Sequence, residues 1–257
     1  MFFIVRKDKI ISYMVSVCTV IILMVMAFSI SKSQEVVETA ASIKKLPIYN
    51  VQTDENKVAL TMNCAWNADD IDSILQTLEK HNVHITFFMV GDWVDKYADA
   101  VKKIADKGHE IGNHSNTHPH VNQLNLEKNI AEIEETAKKI KKITGKATTL
   151  YRGPYGEYND TVIQAAEAQN HYTIQWNIDT LDYSGLTGEE MWSRIENKLE
   201  KGSIILMHNG TKHTADSLDS ILSKIKQKGF KIVTVSDLIY KENYKINVNG
   251  TQMKNSE

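Results

Sequence analysis

Three histidines lie within seven consecutive residues in the segment GNHSNTHPH. His114 and His118 are four residues apart, so one helical turn or a tight loop can direct both imidazole rings to one point. Neutral imidazole is a frequent ligand of zinc and similar divalent ions. The spacing predicts a metal site at His114 and His118, with His120 outside it. A polar loop that is merely rich in histidine would show the same letters, so the surrounding elements must decide between the two interpretations.

Other side chains capable of chemistry also follow apolar runs. Arg152 stands in YRGPYG, directly before a rigid Gly-Pro turn. Asp179 and Asp182 are three residues apart in QWNIDTLDYSG, and His208 ends the apolar run of SIILMHNG. A carboxylate beside a histidine orients the ring and favours its protonated form, which suits a general acid. A single histidine at a strand end is more often structural, so the prediction depends on the whole set.

The elements that would position these residues alternate regularly from residue 58 onward. Short apolar runs predict seven strands, and amphipathic stretches between them predict helices. The predicted strands are 58–62, 84–90, 109–112, 148–151, 172–178, 203–207 and 231–235, and the predicted helices are 71–80, 94–107, 126–143, 161–168, 189–201 and 217–228. This alternation is typical of an α/β fold with a parallel sheet that closes, or nearly closes, into a barrel. The strand ends of such a barrel meet at one mouth, which gathers the residues named above.

The composition indicates an ordinary globular domain. The chain has 257 residues, of which 42% are hydrophobic and 24% charged, and its formal net charge is −2. These values indicate neither disorder nor a disulfide scaffold. No strongly basic face or arm is present, so nucleic acid is not an expected partner.

The amino terminus predicts export. A short basic segment precedes residues 10–30, which contain no charged residue and could cross a ~30 Å hydrocarbon core as a helix. The basic end should stay in the cytoplasm, which favours a single-pass membrane anchor with the remaining chain outside. Ala27 and Ser29 could instead form a cleavage site, so a signal peptide and a secreted product are the alternative.

The predicted organisation has four parts. They are an anchor or signal peptide at 1–30, a linker at 31–56, a catalytic-type domain at 57–241 and a tail at 242–257. The two cysteines, Cys18 and Cys64, fall in the first and third parts, so no bridge between them is expected.

Five motifs together resemble the polysaccharide deacetylase family, also called the NodB homology domain or carbohydrate esterase family 4. They are LTMNCAWNADD, HSNTH, RGPYG, IDTLDY and LMH, which occur in the family's order between about Lys57 and Tyr240. The AWNADD segment is similar to the sporulation-type branch of the family. The resemblance implies a distorted (β/α) barrel, in agreement with the strand pattern.

The resemblance also implies metal-dependent removal of acetyl groups from N-acetylated glycans, with zinc as the expected ion. By position, His114 and His118 are implied metal ligands and His208 the general acid. Asp182 is implied to tether His208, and Arg152 to orient the base. The implied substrate contacts are Tyr155, Leu206, which would line the acetyl pocket, and Asp179.

The first motif departs from the family pattern at two positions. Asn63 stands where the family has its base aspartate, and an amide does not accept a proton at neutral pH. Loss of a general base costs about 10² to 10⁴ in rate. Cys64 stands at the place of a third ligand and is either a thiolate ligand or a small buried residue. Asp69 or Asp70 is either a substitute base or a helix cap.

Two functions follow from these residues. The first is a hydrolase that deacetylates peptidoglycan or a chitin-like glycan at the cell surface, weakened by Asn63. The alternative is a catalytically inactive glycan-binding or scaffold protein of the same fold. In both cases the expected partners are an N-acetylated glycan and, through the amino-terminal helix, the membrane.

Overall fold

The computed structural model describes residues 7–33 and 45–255. The chain divides into two compact units, 1–44 and 45–257. Helix α1 (Lys7–Ser33) belongs to the first unit and overlaps the predicted anchor or signal segment, whose first six residues lie outside the described residues. In the described part of the chain, no helix combines the length and the apolar character that a membrane crossing requires.

The second unit is built on a curled, wholly parallel sheet. Its strands are β2 (Lys57–Cys64), β3 (Thr86–Met89), β4 (Glu110–Asn113), β5 (Leu150–Tyr151), β6 (Tyr172–Thr173), β7 (Ile178–Asp179), β8 (Ile204–His208) and β9 (Lys231–Val233). The order across the sheet is β6-β5-β4-β3-β2-β8-β7, and β9 pairs with the start of β2. This arrangement confirms the predicted α/β class and the distorted barrel.

The registers bring the strand ends to one level. Asn63 at the end of β2 is paired with His208 on β8 and with Phe88 on β3. On the other side of the sheet, Asn113 at the end of β4 is paired with Tyr151 on β5. The residues that follow these strands therefore enter one region at the carboxyl edge, as expected for a parallel barrel.

The helices cover the outer face of the sheet. They are α2 (Ile71–Lys80), α3 (Gly91–Lys96), α4 (Ala98–Asp106), α5 (Leu126–Thr144), α6 (Asp160–Ala168), α7 (Gly188–Glu196), α8 (Thr214–Gln227) and α9 (Val235–Leu238). The apolar faces of α2, α3, α4, α7 and α8 and one face of β2 belong to one buried core. The predicted helix 94–107 is interrupted at Tyr97, whose backbone (φ −125°, ψ 44°) is not helical.

The predicted strand 172–178 is divided into β6 and β7, which lie at the two edges of the sheet. Between them the chain crosses the gap in the barrel. Ile174 still donates its N–H to Tyr151 at 2.8 Å, and Asn177 donates its N–H to Ile204 on the opposite side at 3.2 Å. An apolar run with no break in its pattern gives no signal of this change of partner.

The predicted linker and tail both contribute to the folded domain. Strand β1 (Asn50–Val51) pairs with β11 (Thr251–Lys254), which forms a hairpin with β10 (Tyr244–Ile246). Val51 also donates its N–H to Gly202 at 3.0 Å. A Cβ atom at position 202 would lie 1.7 Å from the Val51 carbonyl oxygen, so this approach requires glycine. The compact unit that contains the sheet starts at residue 45.

Candidate active site

A cavity of about 470 Å³ opens at the carboxyl ends of the strands. It is lined by Asn63, Ala65, Trp66, His114, His118, Tyr155, Gly156, Trp176, Asp179, Tyr183, Leu206 and His208. Seven of the ten predicted site residues are in this set, namely Asn63, His114, His118, Tyr155, Asp179, Leu206 and His208. Arg152 and Asp182 lie behind it and contact its lining residues, whereas Cys64 does not reach it.

His114 and His118, the two histidines of the HSNTH motif, meet in the cavity wall. Their ring centroids are 5.1 Å apart, with the rings nearly perpendicular. The loop between them contains left-handed backbone at Ser115 (φ 67°) and at His118 (φ 57°). Such conformations are costly for residues other than glycine, so neighbouring contacts must hold the loop in place.

Glu132 of α5 supplies those contacts. One carboxylate oxygen accepts hydrogen bonds from the Ser115 hydroxyl at 2.6 Å and from the backbone N–H groups of Asn116 at 2.8 Å and Thr117 at 2.9 Å. The other accepts the Thr117 hydroxyl at 3.0 Å. Burial alone would raise the pKa of Glu132, but these hydrogen bonds outweigh it and lower the pKa. Sequence patterns do not predict this contact, because Glu132 is one of many polar residues on an amphipathic helix.

The tautomer of His114 follows from its neighbours. Its Nδ1 lies 2.7 Å from the Arg152 carbonyl oxygen, which can only accept, so Nδ1 carries the hydrogen. Burial, reinforced by the charge of His118, lowers the pKa of His114 well below its ordinary value. The ring is therefore neutral, and Nε2 presents a lone pair towards Asn63, whose Nδ2 is 3.3 Å away.

Arg152 is fully buried beneath Asn63. Its Nη1 donates to the Asn63 Oδ1 and to the Thr61 hydroxyl, each at 2.9 Å, and its Nη2 donates to the Gln175 carbonyl oxygen at 3.1 Å. The guanidinium also lies 4.0 Å from the centre of the Phe88 ring. Burial lowers the pKa of Arg152 to about 9, and the charge of Asp179 opposes that shift. In the described residues its hydrogen-bond partners are all neutral, so position 63 holds a neutral amide where an anion would pair with this cation.

His208 and Asp182 form the second polar group of the cavity. The Asp182 Oδ1 accepts from His208 Nδ1 at 2.8 Å, and its Oδ2 accepts from the His208 backbone N–H at 2.6 Å and from the Thr214 hydroxyl at 2.7 Å. Asp182 is 1% exposed, so its carboxylate depends on these donors. The arrangement fixes the His208 ring with its Nε2 free to face the cavity.

The thiol of Cys64 faces away from the cavity. Successive side chains of a strand point to opposite faces, so Cys64 lies on the face of Val58, Leu60 and Met62, in the core against the helices. Burial raises the pKa of this thiol well above its ordinary value, with a further contribution from Asp70. The interpretation of Cys64 as a thiolate ligand does not fit this geometry, whereas the interpretation as a small buried residue does.

Asp69 and Asp70, which end the first motif, also lie outside the cavity lining. The Asp70 carboxylate accepts the Gly210 N–H at 2.7 Å and the Asn209 side-chain amide at 3.2 Å. It thereby joins the loop after β2 to the loop after β8. Asp69 is exposed. Neither takes the position of a base beside Asn63.

Aromatic side chains form the rim of the cavity. Tyr155 is 62% exposed and stacks on His120, with the centroids 4.5 Å apart. Trp66 and Tyr183 are each 49% exposed and both contact the His208 ring. Exposed aromatic residues around a concave site are typical of ligand binding. The sequence analysis names Tyr155 but not Trp66, which its place within the first motif, two residues after Cys64, could have indicated.

The side chains around the cavity supply only some of the ligands that a catalytic metal ion requires. Catalytic zinc sites have three protein ligands and an open position. His114 and His118 supply two imidazoles, but the described residues contain no group of three His, Cys, Asp or Glu side chains placed to hold an ion. The predicted ligand Cys64 is buried in the core, and Asn63 offers an N–H instead of a lone pair. The set as it stands does not fit a catalytic metal.

Comparisons with known proteins identify a family and several relatives. The family model described as polysaccharide deacetylase matches residues 50–174. The uncharacterized protein YlxY of Bacillus subtilis is 34% identical over 198 residues, which are 77% of this chain and 62% of YlxY. A peptidoglycan-N-acetylglucosamine deacetylase of Bacillus cereus is 32% identical over 186 residues, which are 71% of this chain and 68% of that protein.

Solved structures with the same fold include a protein described as a pseudoenzyme. BA3943 of Bacillus anthracis, described as a CE4 family pseudoenzyme, has a TM-score of 0.72 and 33% identity, covering 75% of this chain and 68% of its own. A mutant of BA3943, described as having restored enzymatic activity, matches with the same TM-score and identity.

Proposed function

Because the chain belongs to the polysaccharide deacetylase family, we propose that it binds N-acetylated peptidoglycan in the cavity at the strand ends and removes acetyl groups from it slowly. Peptidoglycan is named as the substrate of the Bacillus cereus relative, and the domain would act where that polymer lies, outside the cytoplasm. The apolar segment 10–30 would direct export. The observation that carries the proposal is the convergence of His114, His118 and the His208–Asp182 pair on one cavity.

The cavity residues divide the work of binding and proton transfer. Leu206, on β8 two residues before His208, would contact the acetyl methyl group in the apolar part of the cavity. His208, oriented by Asp182, would deliver a proton to the departing amine. Trp66 and Tyr155 would pack against the sugar rings on either side of the cleft.

The missing base limits the rate. Asn63 lies next to His114, one of the two predicted metal ligands, but its amide cannot take a proton from water. The expected cost is about 10² to 10⁴ in rate. Deacetylases of this family are generally metal-dependent, and the ligand set here is incomplete, which lowers the rate further.

A glycan-binding protein without turnover is the second candidate. The hydrogen bond from the buried Arg152 guanidinium to a neutral amide favours it, because the environment is suited to a carboxylate but holds none. The likeness to BA3943, described as a pseudoenzyme, supports the same candidate.

Measurements on the purified full chain separate the two candidates. We expect isothermal titration to detect binding of N-acetylglucosamine oligomers and peptidoglycan fragments. With zinc present, we expect slow acetate release from the wild type and a rate about 10² to 10⁴ higher from Asn63→Asp, because a carboxylate restores the base. Cys64→Ala is the matched control on the same strand, since its thiol faces the core.

Each outcome assigns the function. Slow release from the wild type supports the hydrolase, whereas binding with no release, together with turnover by Asn63→Asp, supports the binding protein. Absence of glycan binding by both wild type and variant would refute the proposal.

A further inference from the structure

The orientation of the Asn63 amide is fixed by its two neighbours. Arg152 Nη1 can only donate, and it lies 2.9 Å from the atom assigned as Oδ1, so the oxygen must face the guanidinium. The amide nitrogen then faces His114 Nε2 at 3.3 Å. Turning the amide over would set its N–H group against the N–H of Arg152, which excludes that arrangement.

The partner atom on His114 is the one that a metal ion would need. Nδ1 is occupied by the hydrogen bond to the Arg152 carbonyl oxygen, so Nε2 holds the available lone pair. That lone pair accepts the Asn63 N–H. A ligand nitrogen cannot accept a hydrogen bond and coordinate a metal through the same lone pair.

We propose that Asn63 occupies the metal position at His114, by placing an amide N–H where a divalent cation would bind. The residue at position 63 therefore determines metal affinity as well as the presence of a general base. With aspartate at this position, a carboxylate oxygen and the Nε2 lone pair would face each other, and a cation between them would relieve their repulsion. With asparagine, the side-chain N–H of residue 63 donates to the His114 Nε2 lone pair in place of a cation.

The surrounding groups do not compensate for this loss. Asp182 is fully engaged by His208, Thr214 and the Tyr183 N–H, and the Asp179 Oδ1 accepts the Leu181 N–H at 2.8 Å. Arg152 adds a positive charge directly behind the amide, which further disfavours a second cation. The effect of Asn63 on metal binding is therefore not offset by the residues described around the cavity.

The inference rests on the proposed function, since it concerns the same cavity, but metal binding is measurable without glycan. The experiment is titration of the purified, metal-free full chain with zinc chloride, in the presence of a competing chelator. We expect Asn63→Ala to bind zinc about two- to tenfold more tightly than the wild type, because it removes one hydrogen bond from Nε2. We expect Asn63→Asp to bind at least tenfold more tightly, because it also adds a negative charge.

Three results would overturn the inference. They are equal zinc affinities in wild type and Asn63→Asp, a gain in Asn63→Asp without a gain in Asn63→Ala, and a gain that persists after His114→Ala is added to Asn63→Asp. The second result would assign the effect to charge alone. In every case glycan binding is measured separately, so a failure here leaves the proposed function intact.

A spectroscopic measurement tests the wild type without any substitution. The ¹⁵N shift of His114 Nε2 in the metal-free protein should be that of a lone pair that accepts a hydrogen bond. A shift typical of an imidazole lone pair without a hydrogen bond would contradict the inference.

Discussion

At the scale of single residues, the cavity depends on which oxygen or nitrogen each side chain presents. Asn63, near the end of β2, and Asp182, three residues after β7, are almost equally buried, at 4% and 1% exposure. Asn63 presents an N–H to a histidine, whereas Asp182 presents an oxygen. The amide nitrogen of Asn63 donates to the His114 lone pair, whereas the carboxylate oxygen of Asp182 accepts from His208 and orients it.

Substitution of Asp182 by asparagine tests this dependence. The amide would set an N–H group against the His208 N–H or the Thr214 hydroxyl, so we expect a loss of about 2 to 3 kcal/mol in the free energy of unfolding. Urea denaturation at pH 7 measures it.

Asp179→Asn is the matched control, because the Asp179 Oδ1 accepts from a single backbone N–H and the residue is only half-buried. We expect it to cost less than about 1 kcal/mol, the worth of one hydrogen bond. Equal losses of unfolding free energy in the two variants would show that the Asp182 hydrogen bonds contribute no more to stability than the single bond of Asp179.

The sequence predicted these residues to different extents. Strand ends and motif positions predict ten site residues, and nine of them line the cavity or contact its lining. Cys64 is the exception, although the sequence held the signal. In VALTMNC the polar Thr61 and Asn63 alternate with Leu60, Met62 and Cys64, which places the thiol on the apolar face.

At the scale of elements, the helix α5 holds the histidine loop through Glu132. We expect Glu132→Ala to lower the free energy of unfolding by about 1 to 3 kcal/mol, since it leaves the two loop N–H groups and two hydroxyls without their acceptor. Hydrogen exchange at Asn116 and Thr117 should accelerate in the variant. Glu132→Gln, whose oxygen still accepts, should retain more of the stability.

Glu135→Ala on the same helix is the control, because Glu135 is exposed and pairs with Lys138 at the surface. We expect it to change stability by less than about 0.5 kcal/mol. The pKa of Glu132 is lowered in the folded state, so its contribution should be complete above the ordinary carboxyl pKa and should decline as the pH falls below it. A contribution that is constant down to acidic pH would contradict this assignment.

The elements themselves were predictable where the apolar period was regular. The predicted helices 71–80 and 161–168 agree with α2 and α6 to within one residue, because their apolar residues recur at helical spacing. The division of 172–178 between two sheet edges was not predictable. It is set by Tyr151 and Ile204, which accept the N–H groups of Ile174 and Asn177 from distant parts of the chain.

At the scale of the whole molecule, buried histidines make stability depend on pH. His109 is 8% exposed and accepts the Ile85 N–H through Nδ1. Burial, together with the charges of His84 and Lys107, lowers its pKa from 6.5 to about 4. Between these values the unfolded chain takes up a proton that the folded protein does not. Stability is therefore complete above the unfolded pKa and falls as the pH falls, by up to about 1.4 kcal/mol per pH unit.

His109→Gln should remove this dependence. We expect the free energy of unfolding of the wild type to fall by about 2 kcal/mol more than that of the variant between pH 7 and pH 5. Guanidinium denaturation at the two pH values measures the difference. Equal losses in both proteins would show that His109 does not carry the pH dependence.

The pairing of β1 with β11 has a consequence for how the protein is made. Residues 50–51 leave the ribosome early, but their partners 251–252 are synthesised some two hundred residues later. In a nascent chain, the edge of β1 that pairs with β11 therefore has no partner throughout most of translation. A premature stop codon before residue 251 would leave that edge open permanently and available for pairing with other chains.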